Sequence, residues 1–428
     1  MEECKLTLNR ICMDGFTGAL VAVESFSDGR AVLHGPGGCR NYHTFLTSVC
    51  YPRASPTDFK EYSRPYFFGQ PRLPCTYVDE DNYINGSEKK LEECIPQICG
   101  TDDDFDVFIN SPGAALIGDN VTDAIERSGF KNKAMAVEES LISQPFSSGY
   151  DHTVKSIIEW RAPKKKETIP RSVNILGIPV SSIDWQDAVA ELGSMLNDMG
   201  ITVISSPGAG CSTAKLEESV AAEYNVCVSS EYCTRTAEFY NREYGIPTIF
   251  SEAGAPVGFD AIESWAKNIG NTIGADTSKT DERIRTAKER VFRRIKGSLH
   301  SKRVKCSRFT IMTDSSVTLP LMKWLYEYLC MLPVSISVDP GEDSRIVSSI
   351  IGFLDDAGLR EAWHSDPAQK VDFMFTDGQT AESQMMVGNC RKGIGIAMPD
   401  LYRVNFIPRP VYGINGAMYI LDEIFSSL

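Results

Sequence analysis

Residues 172–210, SVNILGIPVSSIDWQDAVAELGSMLNDMGITVISSPGAG, decide the fold class. An apolar run at 173–177 is followed by a segment with helical periodicity, Trp185 to Met199, which ends at Gly200. A second apolar run at 201–204 then leads into a glycine-rich turn. Strand, helix and strand in this order predict a parallel sheet, because a crossover helix carries the chain back to the end at which the first strand began.

The same alternation of apolar runs and helix-length segments extends through most of the chain. Further strands are predicted at 105–109, 134–137, 226–228, 308–312, 334–338 and 371–375, and helices among them at 216–224 and 281–296. The basic run at 163–167 contains a proline and predicts a linker. We therefore predict three α/β domains, at residues 1–165, 166–300 and 301–428.

The composition limits the possible partners and the cellular location. The chain has 428 residues and a formal net charge of −14, which argues against a nucleic-acid partner. The N-terminus does not resemble a signal peptide, and no apolar run is long enough for a membrane span. Thirteen cysteines, an odd number, disfavour a disulfide framework and favour reduced thiols, some of them metal ligands. We expect a cytoplasmic protein without a membrane partner.

Two cysteines in the first domain are the candidate metal ligands. Cys39 ends the run His34-Gly35-Pro36-Gly37-Gly38-Cys39, and Cys75 follows 36 residues later. The lack of side-chain bulk around Gly38 lets backbone amides and a thiolate approach a bulky inorganic group. Iron–sulfur clusters are held by such thiolates. The alternative is a glycine-rich turn that carries a buried core thiol.

Six runs, in order along the chain, resemble motifs of nitrogenase component 1 and the nitrogenase-like reductases. They are HGPGGC at 34–39, CTYVDEDNYINGSEKKL at 75–91, SPGAALIGDN at 111–120, YGIP at 244–247, IGIAMPD at 394–400 and YGINGAM at 412–418. Their order and spacing identify the chain as a member of that family. The resemblance implies three Rossmann-like parallel-sheet domains around a central cleft.

The resemblance also implies a cofactor and its ligands. Cys39 and Cys75, with Gly38 in the turn, match the cluster-binding motifs. The family's third cluster cysteine falls at Pro112, so two thiolates per chain suit a [4Fe–4S] cluster shared across a subunit interface. A larger cluster would need a further ligand, for which Cys50 and Ser111 are the reserve candidates.

Two departures from the family pattern concern the active-site cofactor of the catalytic α-type subunit. The position of the cysteine that ligates that cofactor is Ser229 in this chain, and the position of the histidine is Tyr412. The chain therefore resembles a β-type subunit, or one without that cofactor, more than it resembles the catalytic subunit.

The function implied by the resemblance is that of an oxidoreductase subunit, whose iron–sulfur cluster accepts electrons from an ATP-dependent iron protein. Its partner would be a related α-like subunit or a second copy of itself. Three alternatives stay open: a β-type partner in a carbon–sulfur bond reductase, a homodimeric tetrapyrrole reductase, and a scaffold for metal-cluster assembly. His34 and His43 flank Cys39, and each either tunes the cluster by hydrogen bonding or stabilises the turn.

Overall fold

A computed structural model describes residues 10, 12–41, 43, 73–100, 105–296, 304–400, 403 and 406–426. In this part of the chain, strands and helices alternate as the apolar pattern predicts. The strands are β1 Gly29–His34, β2 Phe105–Asn110, β3 Ala134–Val137, β4 Ile169–Leu176, β5 Thr202–Ser205, β6 Ala222–Cys227, β7 Thr248–Ile249, β8 Arg308–Thr313, β9 Leu332–Val338, β10 Val371–Asp377 and β11 Cys390–Ala397.

Helices precede, connect and follow these strands. They are α1 Gly15–Glu24, α2 Glu80–Asn85, α3 Glu88–Cys99, α4 Pro112–Ile117, α5 Val121–Arg127, α6 Phe146–Arg161, α7 Trp185–Asp198, α8 Thr213–Glu218, α9 Thr234–Tyr244, α10 Phe259–Ile273, α11 Ser278–Ile295, α12 Ser315–Leu329, α13 Ser344–Asp356, α14 Gly378–Met386 and α15 Gly413–Ser426. Among the described helices, none combines the length and the apolar composition that crossing a bilayer requires.

The strands form three parallel sheets. The strand order is β1-β2-β3 in the first sheet, β5-β4-β6-β7 in the second and β11-β10-β8-β9 in the third, and every pairing is parallel. The predicted α/β class with three parallel-sheet units is therefore confirmed. Each sheet lies within one of the three predicted domains, whose exact boundaries stay predictions.

The predicted helix at 216–224 is wrong in its second half. Helix α8 ends at Glu218, and β6 begins at Ala222. Alanine and glutamate favour a helix locally, but β6 lies between β4 and β7 and pairs with both. Pairing within the sheet therefore overrides the local preference of this segment.

Two apolar cores join neighbouring units. One core contains side chains from the first and second units, such as Leu33 and Tyr240. The other contains side chains from the second and third units, such as Trp265 and Phe309. Because both cores include side chains of the second unit, burial of apolar surface fixes all three sheets relative to one another.

Glycines allow helices α1 and α6 to cross at backbone contact. A Cβ atom at Gly149 would lie 2.0 Å from the carbonyl oxygen of Gly15, and one at Gly18 would lie 2.1 Å from that of Phe146. These atoms belong to the backbone, so no side-chain rotation can relieve the overlap. The crossing therefore depends on the absence of side chains at these positions.

We predict that Gly149→Ala lowers the free energy of unfolding by about 3 kcal/mol, because the added methyl group forces the two helices apart. Gly193→Ala is the matched control, since Gly193 also lies inside a helix but a Cβ there would meet nothing within 4 Å. The control variant should be more stable than the wild type by up to about 1 kcal/mol. Urea unfolding of the three proteins tests this, and equal stability of Gly149→Ala and the wild type would contradict it.

Candidate functional site

A backbone bridge brings the two candidate cysteines to the same end of the first sheet. Strand β1 ends at His34, and Cys39 lies in a helical turn at residues 37–41. The segment that contains Cys75 pairs with β1 through a parallel bridge between Leu33 and Cys75. The amide of Leu33 donates to the carbonyl of Pro74 at 2.9 Å, and the amide of Thr76 donates to that of Leu33 at 3.1 Å. Both cysteines thus lie at the carboxyl end of β1.

The Cys75 sulfur has two backbone partners. Its thiol donates to the carbonyl of Gly35 at 3.1 Å, and the amide of Tyr77 donates to the sulfur at 3.3 Å. Tyr77 has a φ of +53°, which is uncommon for a residue with a side chain. Burial raises the pKa of the Cys75 thiol, while the Tyr77 amide and the charge of Arg40 act to lower it. The amide and the cation would therefore stabilise a thiolate here.

Cys39 is half-buried beside open space. It packs against the same apolar core as Cys75, and it lies near enough to Cys75 to act on the pKa of that thiol. A Cβ atom at Gly38, its neighbour, would meet nothing within 4 Å. The guanidinium of Arg40 donates to the carbonyl of Leu73 at 3.2 Å and to the hydroxyl of Tyr77 at 2.7 Å. Arg40 thereby ties the Cys39 turn to the Cys75 segment.

His34 connects the chain segments around the two cysteines. Its Nδ1 lies 2.9 Å from the hydroxyl of Thr76, and its Nε2 lies 3.1 Å from a carboxylate oxygen of Asp119 and 3.1 Å from the hydroxyl of Ser87. Burial lowers the pKa of His34, so the ring is neutral near pH 7. An ionised carboxylate only accepts, which assigns the ring proton to Nε2. This geometry favours the turn-stabilising role of His34.

The charge on Asp119 completes this network. Burial acts to raise the pKa of Asp119, but hydrogen bonds from Ser87 and His34 outweigh it and lower the pKa. The amide of Ser87 donates to Asp119 at 3.1 Å in addition to its hydroxyl. Asp119 is therefore an anion that fixes the start of helix α3 against the end of β1.

The remaining predicted candidates occupy different places. Cys50 lies outside the described residues. The Ser111 hydroxyl caps helix α4 by accepting from the amide of Ala114 at 3.3 Å. His43 is buried against the ring of Phe16, with 5.0 Å between the ring centroids.

A third thiol of the first unit lies within electrostatic reach of Cys75. Cys94, on helix α3, is half-buried and lies near enough to Cys75 to act on its pKa. No sequence pattern points to Cys94, because its approach to Cys75 depends on how helix α3 packs.

Large apolar side chains are exposed in the first unit. Tyr77, Ile84 and Leu116 have 50%, 81% and 86% of their surfaces exposed. Ile84 lies on α2 and Leu116 on α4, and these two short helices contact each other. Exposed apolar groups that cluster in this way are typical of protein–protein contact surfaces.

A second candidate site is the cleft at the carboxyl ends of the third sheet. Asp314 and Asp339 directly follow β8 and β9, and Asp377 ends β10. Arg10 forms ion pairs with Asp339 and Asp377. Asp314 is half-buried and accepts hydrogen bonds from the hydroxyl of Tyr232 at 3.1 and 3.2 Å. Burial, together with the charges of Asp339 and Glu231, raises the pKa of Asp314.

Ser229 and Tyr412 meet at this cleft. Their hydroxyl oxygens lie 3.2 Å apart, although 183 residues separate them. The Tyr412 hydroxyl also lies 3.4 Å from that of Ser182. The two positions at which the family resemblance places cofactor ligands are thus adjacent, and in this chain they share a hydrogen bond.

The cavity that remains in the cleft is small. Its volume is about 60 Å³, and its walls include Cys12, Asp314 and Tyr412. This space suits a few water molecules. Within the described residues, no group of three or more His, Cys, Asp or Glu side chains is arranged to hold a metal ion.

Comparison with known proteins places the chain in a family. The sequence signature of the family described as nitrogenase component 1 type oxidoreductase matches residues 15–428. The chain therefore belongs to the nitrogenase component 1 family of oxidoreductases, as the sequence motifs indicate.

Individual relatives have low sequence identity. The chain is 22% identical to the nitrogenase molybdenum-iron protein beta chain of Methanococcus maripaludis, over 473 aligned positions that cover 100% of this chain and 95% of that one. It is 22% identical to a light-independent protochlorophyllide reductase subunit of Stigeoclonium helveticum over 270 positions, which cover 60% of this chain and 49% of that relative. The second match thus spans only about half the length of the reductase subunit.

The solved structure of nitrogenase Cp1 at pH 6.5 has the same fold. It superimposes with a TM-score of 0.77 at 14% sequence identity, covering 100% of this chain and 94% of the other.

We predict that the free energy of unfolding falls as the pH is lowered from about 6.5 to about 4. Burial lowers the pKa of His43 to about 4, so in this range the unfolded chain binds a proton that the folded chain does not. At 1.36 kcal/mol per pKa unit, the loss from His43 reaches roughly 3 kcal/mol. Urea unfolding at several pH values measures it.

The variant His43→Gln should lose this part of the pH dependence. His364→Gln is the control, because His364 lies on the surface, and it should keep the slope of the wild type. A slope in His43→Gln equal to that of the wild type would contradict the prediction.

We also predict that Ser229 and Tyr412 are energetically coupled. Each single change, Ser229→Ala or Tyr412→Phe, already breaks their hydrogen bond. The double variant should therefore lose less unfolding free energy than the two single variants lose in sum, by about 0.5–1.5 kcal/mol. Ser348→Ala with Tyr412→Phe is the control pair, since Ser348 is exposed on helix α13. Strict additivity for Ser229 and Tyr412 would refute this coupling.

Proposed function

We propose that this chain is a subunit of a nitrogenase-like two-component reductase, and that Cys39 and Cys75 hold an iron–sulfur cluster at a subunit interface. One observation carries the proposal. The bridge between Leu33 and Cys75 brings the segment of one thiol beside the turn of the other, and open space adjoins that turn at Gly38.

The residues around the pair fit such a group. The amide of Tyr77 donates to the Cys75 sulfur, and hydrogen bonds of this kind tune cluster potentials. The positive charge of Arg40 acts on the Cys75 thiol in the direction that favours the thiolate. Two thiolates from each of two chains would complete the four that a [4Fe–4S] cluster needs. When bound, the cluster supplies one-electron transfer.

The protein's own part is to hold the thiolates and to exclude water. Neutral His34 and anionic Asp119 fix the two segments that contain the cysteines. The apolar side chains of Tyr77, Ile84 and Leu116 would be covered by the partner subunit, either an α-like chain or a second copy. Electrons would come from an ATP-dependent iron protein that docks over this interface near Cys39.

More specifically, we propose that the chain is a β-type subunit. It is favoured by the hydrogen bond between Ser229 and Tyr412 and by the small volume of the adjoining cavity. A chain with these features would receive and pass on electrons, while an α-like partner would hold the active-site cofactor.

We predict that Cys39→Ala and Cys75→Ala each lose nearly all bound iron and sulfide after purification without oxygen, together with the reduced-state EPR signal. The reason is that each variant removes half of the thiolates that one chain contributes. Cys390→Ala is the control, because this buried thiol lies in the third sheet, and it should keep both iron and signal. Wild-type protein without iron, or an unaltered cluster in either variant, would overturn the cysteine assignment.

Cys94→Ala belongs in the same series. Retention of the cluster in this variant supports two ligands per chain, and loss of iron would add Cys94 as a third ligand and favour a larger cluster.

The partner and the electron donor are tested by isolation and reduction. Co-purification of a related chain supports the β-type reading, whereas a lone homodimer that reduces a tetrapyrrole would replace it. Reduction of the cluster by an iron protein should require ATP. Release of the cluster to an acceptor protein, without ATP-dependent reduction, would instead establish an assembly scaffold.

A further inference from the structure

Two buried cysteines of the second unit lie with their sulfurs in contact. Cys227 ends strand β6, and Cys233 immediately precedes helix α9. The Sγ atoms are 3.4 Å apart, and both thiols are reduced and buried. A disulfide requires about 2.05 Å, so an approach of about 1.4 Å would close the bond. We propose that Cys227 and Cys233 form a redox-active dithiol, which is oxidised by exchange with a low-molecular-weight disulfide.

The surroundings of the two thiols assign them different roles. The hydrogen bond to Cys227, together with burial, raises the pKa of Cys233, and the Cys233 thiol also donates to the carbonyl of Ser229 at 3.5 Å. Cys227 lines a cavity of about 310 Å³ whose wall also includes Arg345. Arg345 forms an ion pair with Asp343 at 2.8 Å, and both side chains line the same cavity.

These differences set the order of reaction. The thiolate is the attacking form of cysteine, and it must be accessible to the incoming disulfide. Cys227 lines the cavity, which gives a small disulfide access to its sulfur, so it attacks the incoming disulfide. Cys233 is 1% exposed and does not line this cavity, so it resolves the intermediate.

The exchange balances in two steps. The Cys227 thiolate attacks one sulfur of the small disulfide, forms a mixed disulfide and releases the first small thiolate. Cys233 then gives its proton to that thiolate and attacks the Cys227 sulfur, which releases the second small thiolate. This thiolate takes up from solvent the proton that Cys227 lost when it ionised. The two protein thiols lose two electrons and two protons in total, and the small disulfide gains them as two thiols.

The two cysteines flank a turn of the second unit that forms hydrogen bonds with the third unit. The hydroxyls of Ser230 and Ser316 lie 3.3 Å apart, and Glu231 accepts from the amide of Ser316 at 2.8 Å. Tyr232, in the same turn, binds Asp314 in the cleft. Shortening the distance between Cys227 and Cys233 would pull on this turn, so the redox state of the pair is coupled to the contacts across the cleft.

Peptide mass spectrometry tests the proposal. The intact protein is incubated without oxygen with oxidised glutathione, quenched with acid, alkylated with iodoacetamide and digested with trypsin. Peptide 216–235 contains both cysteines and no internal lysine or arginine. We expect this peptide to become lighter by two hydrogen atoms and to resist alkylation.

Two other sites serve as internal controls. Cys211 is equally buried, but its sulfur contacts the hydroxyl of Ser205 and not a second thiol, so it should remain alkylated. The exposed Cys306 should be modified, which shows that the oxidant was active. If Cys306 is modified while peptide 216–235 stays fully alkylated, the proposal is overturned, and this result depends on no variant.

Single variants test the order of attack. Cys233→Ser should retain glutathione on Cys227, because no resolving thiol remains. Cys227→Ser should leave Cys233 reduced, and circular dichroism identical to the wild type shows that both variants are folded. Trapping of glutathione on Cys233 and none on Cys227 would overturn the assigned roles.

Discussion

The pairing of the Cys75 segment with strand β1 is the interaction on which the candidate cluster site depends. Strand β1 is an edge strand of its sheet, so its second edge is available to accept the backbone at Leu33. This pairing sets the position of the Cys75 sulfur beside Gly35 and brings the Tyr77 amide onto it. A buried polar group is tolerated when its hydrogen bonds are satisfied, and neutral His34 meets this condition beneath the same turn.

The sequence predicts the fold well where it encodes burial. Strands of parallel sheets are covered on both faces and appear as continuous apolar runs, and the runs at 308–312 and 371–375 are such strands in the structure. The segment 216–224 misleads because its alanines and glutamates favour a helix, whereas the neighbouring strands β4 and β7 require a strand. Local preference and long-range pairing conflict there, and the pairing prevails.

The candidate sites were predictable to different degrees. Cys39 and Cys75 were identified because glycines and family motifs surround them. The approach of Cys94 to Cys75 depends on the packing of a helix, and the contact between Cys227 and Cys233 depends on the 3-10 turn at Ser230–Tyr232. No sequence pattern predicts either of these two approaches between cysteines. Ser229 and Tyr412 are adjacent although 183 residues separate them in the sequence. Only the family resemblance indicates this, because the family's ligands at these two positions bind the same cofactor.

The second unit contributes side chains to two apolar cores, and this limits how the chain could be shortened during evolution. Trp265 is buried among side chains of the third unit, and Tyr240 among those of the first. A chain that ended before the third sheet would therefore expose a large apolar surface on the unit left behind. Gene truncation could then yield a well-behaved protein only if new polar residues or another polypeptide covered that surface.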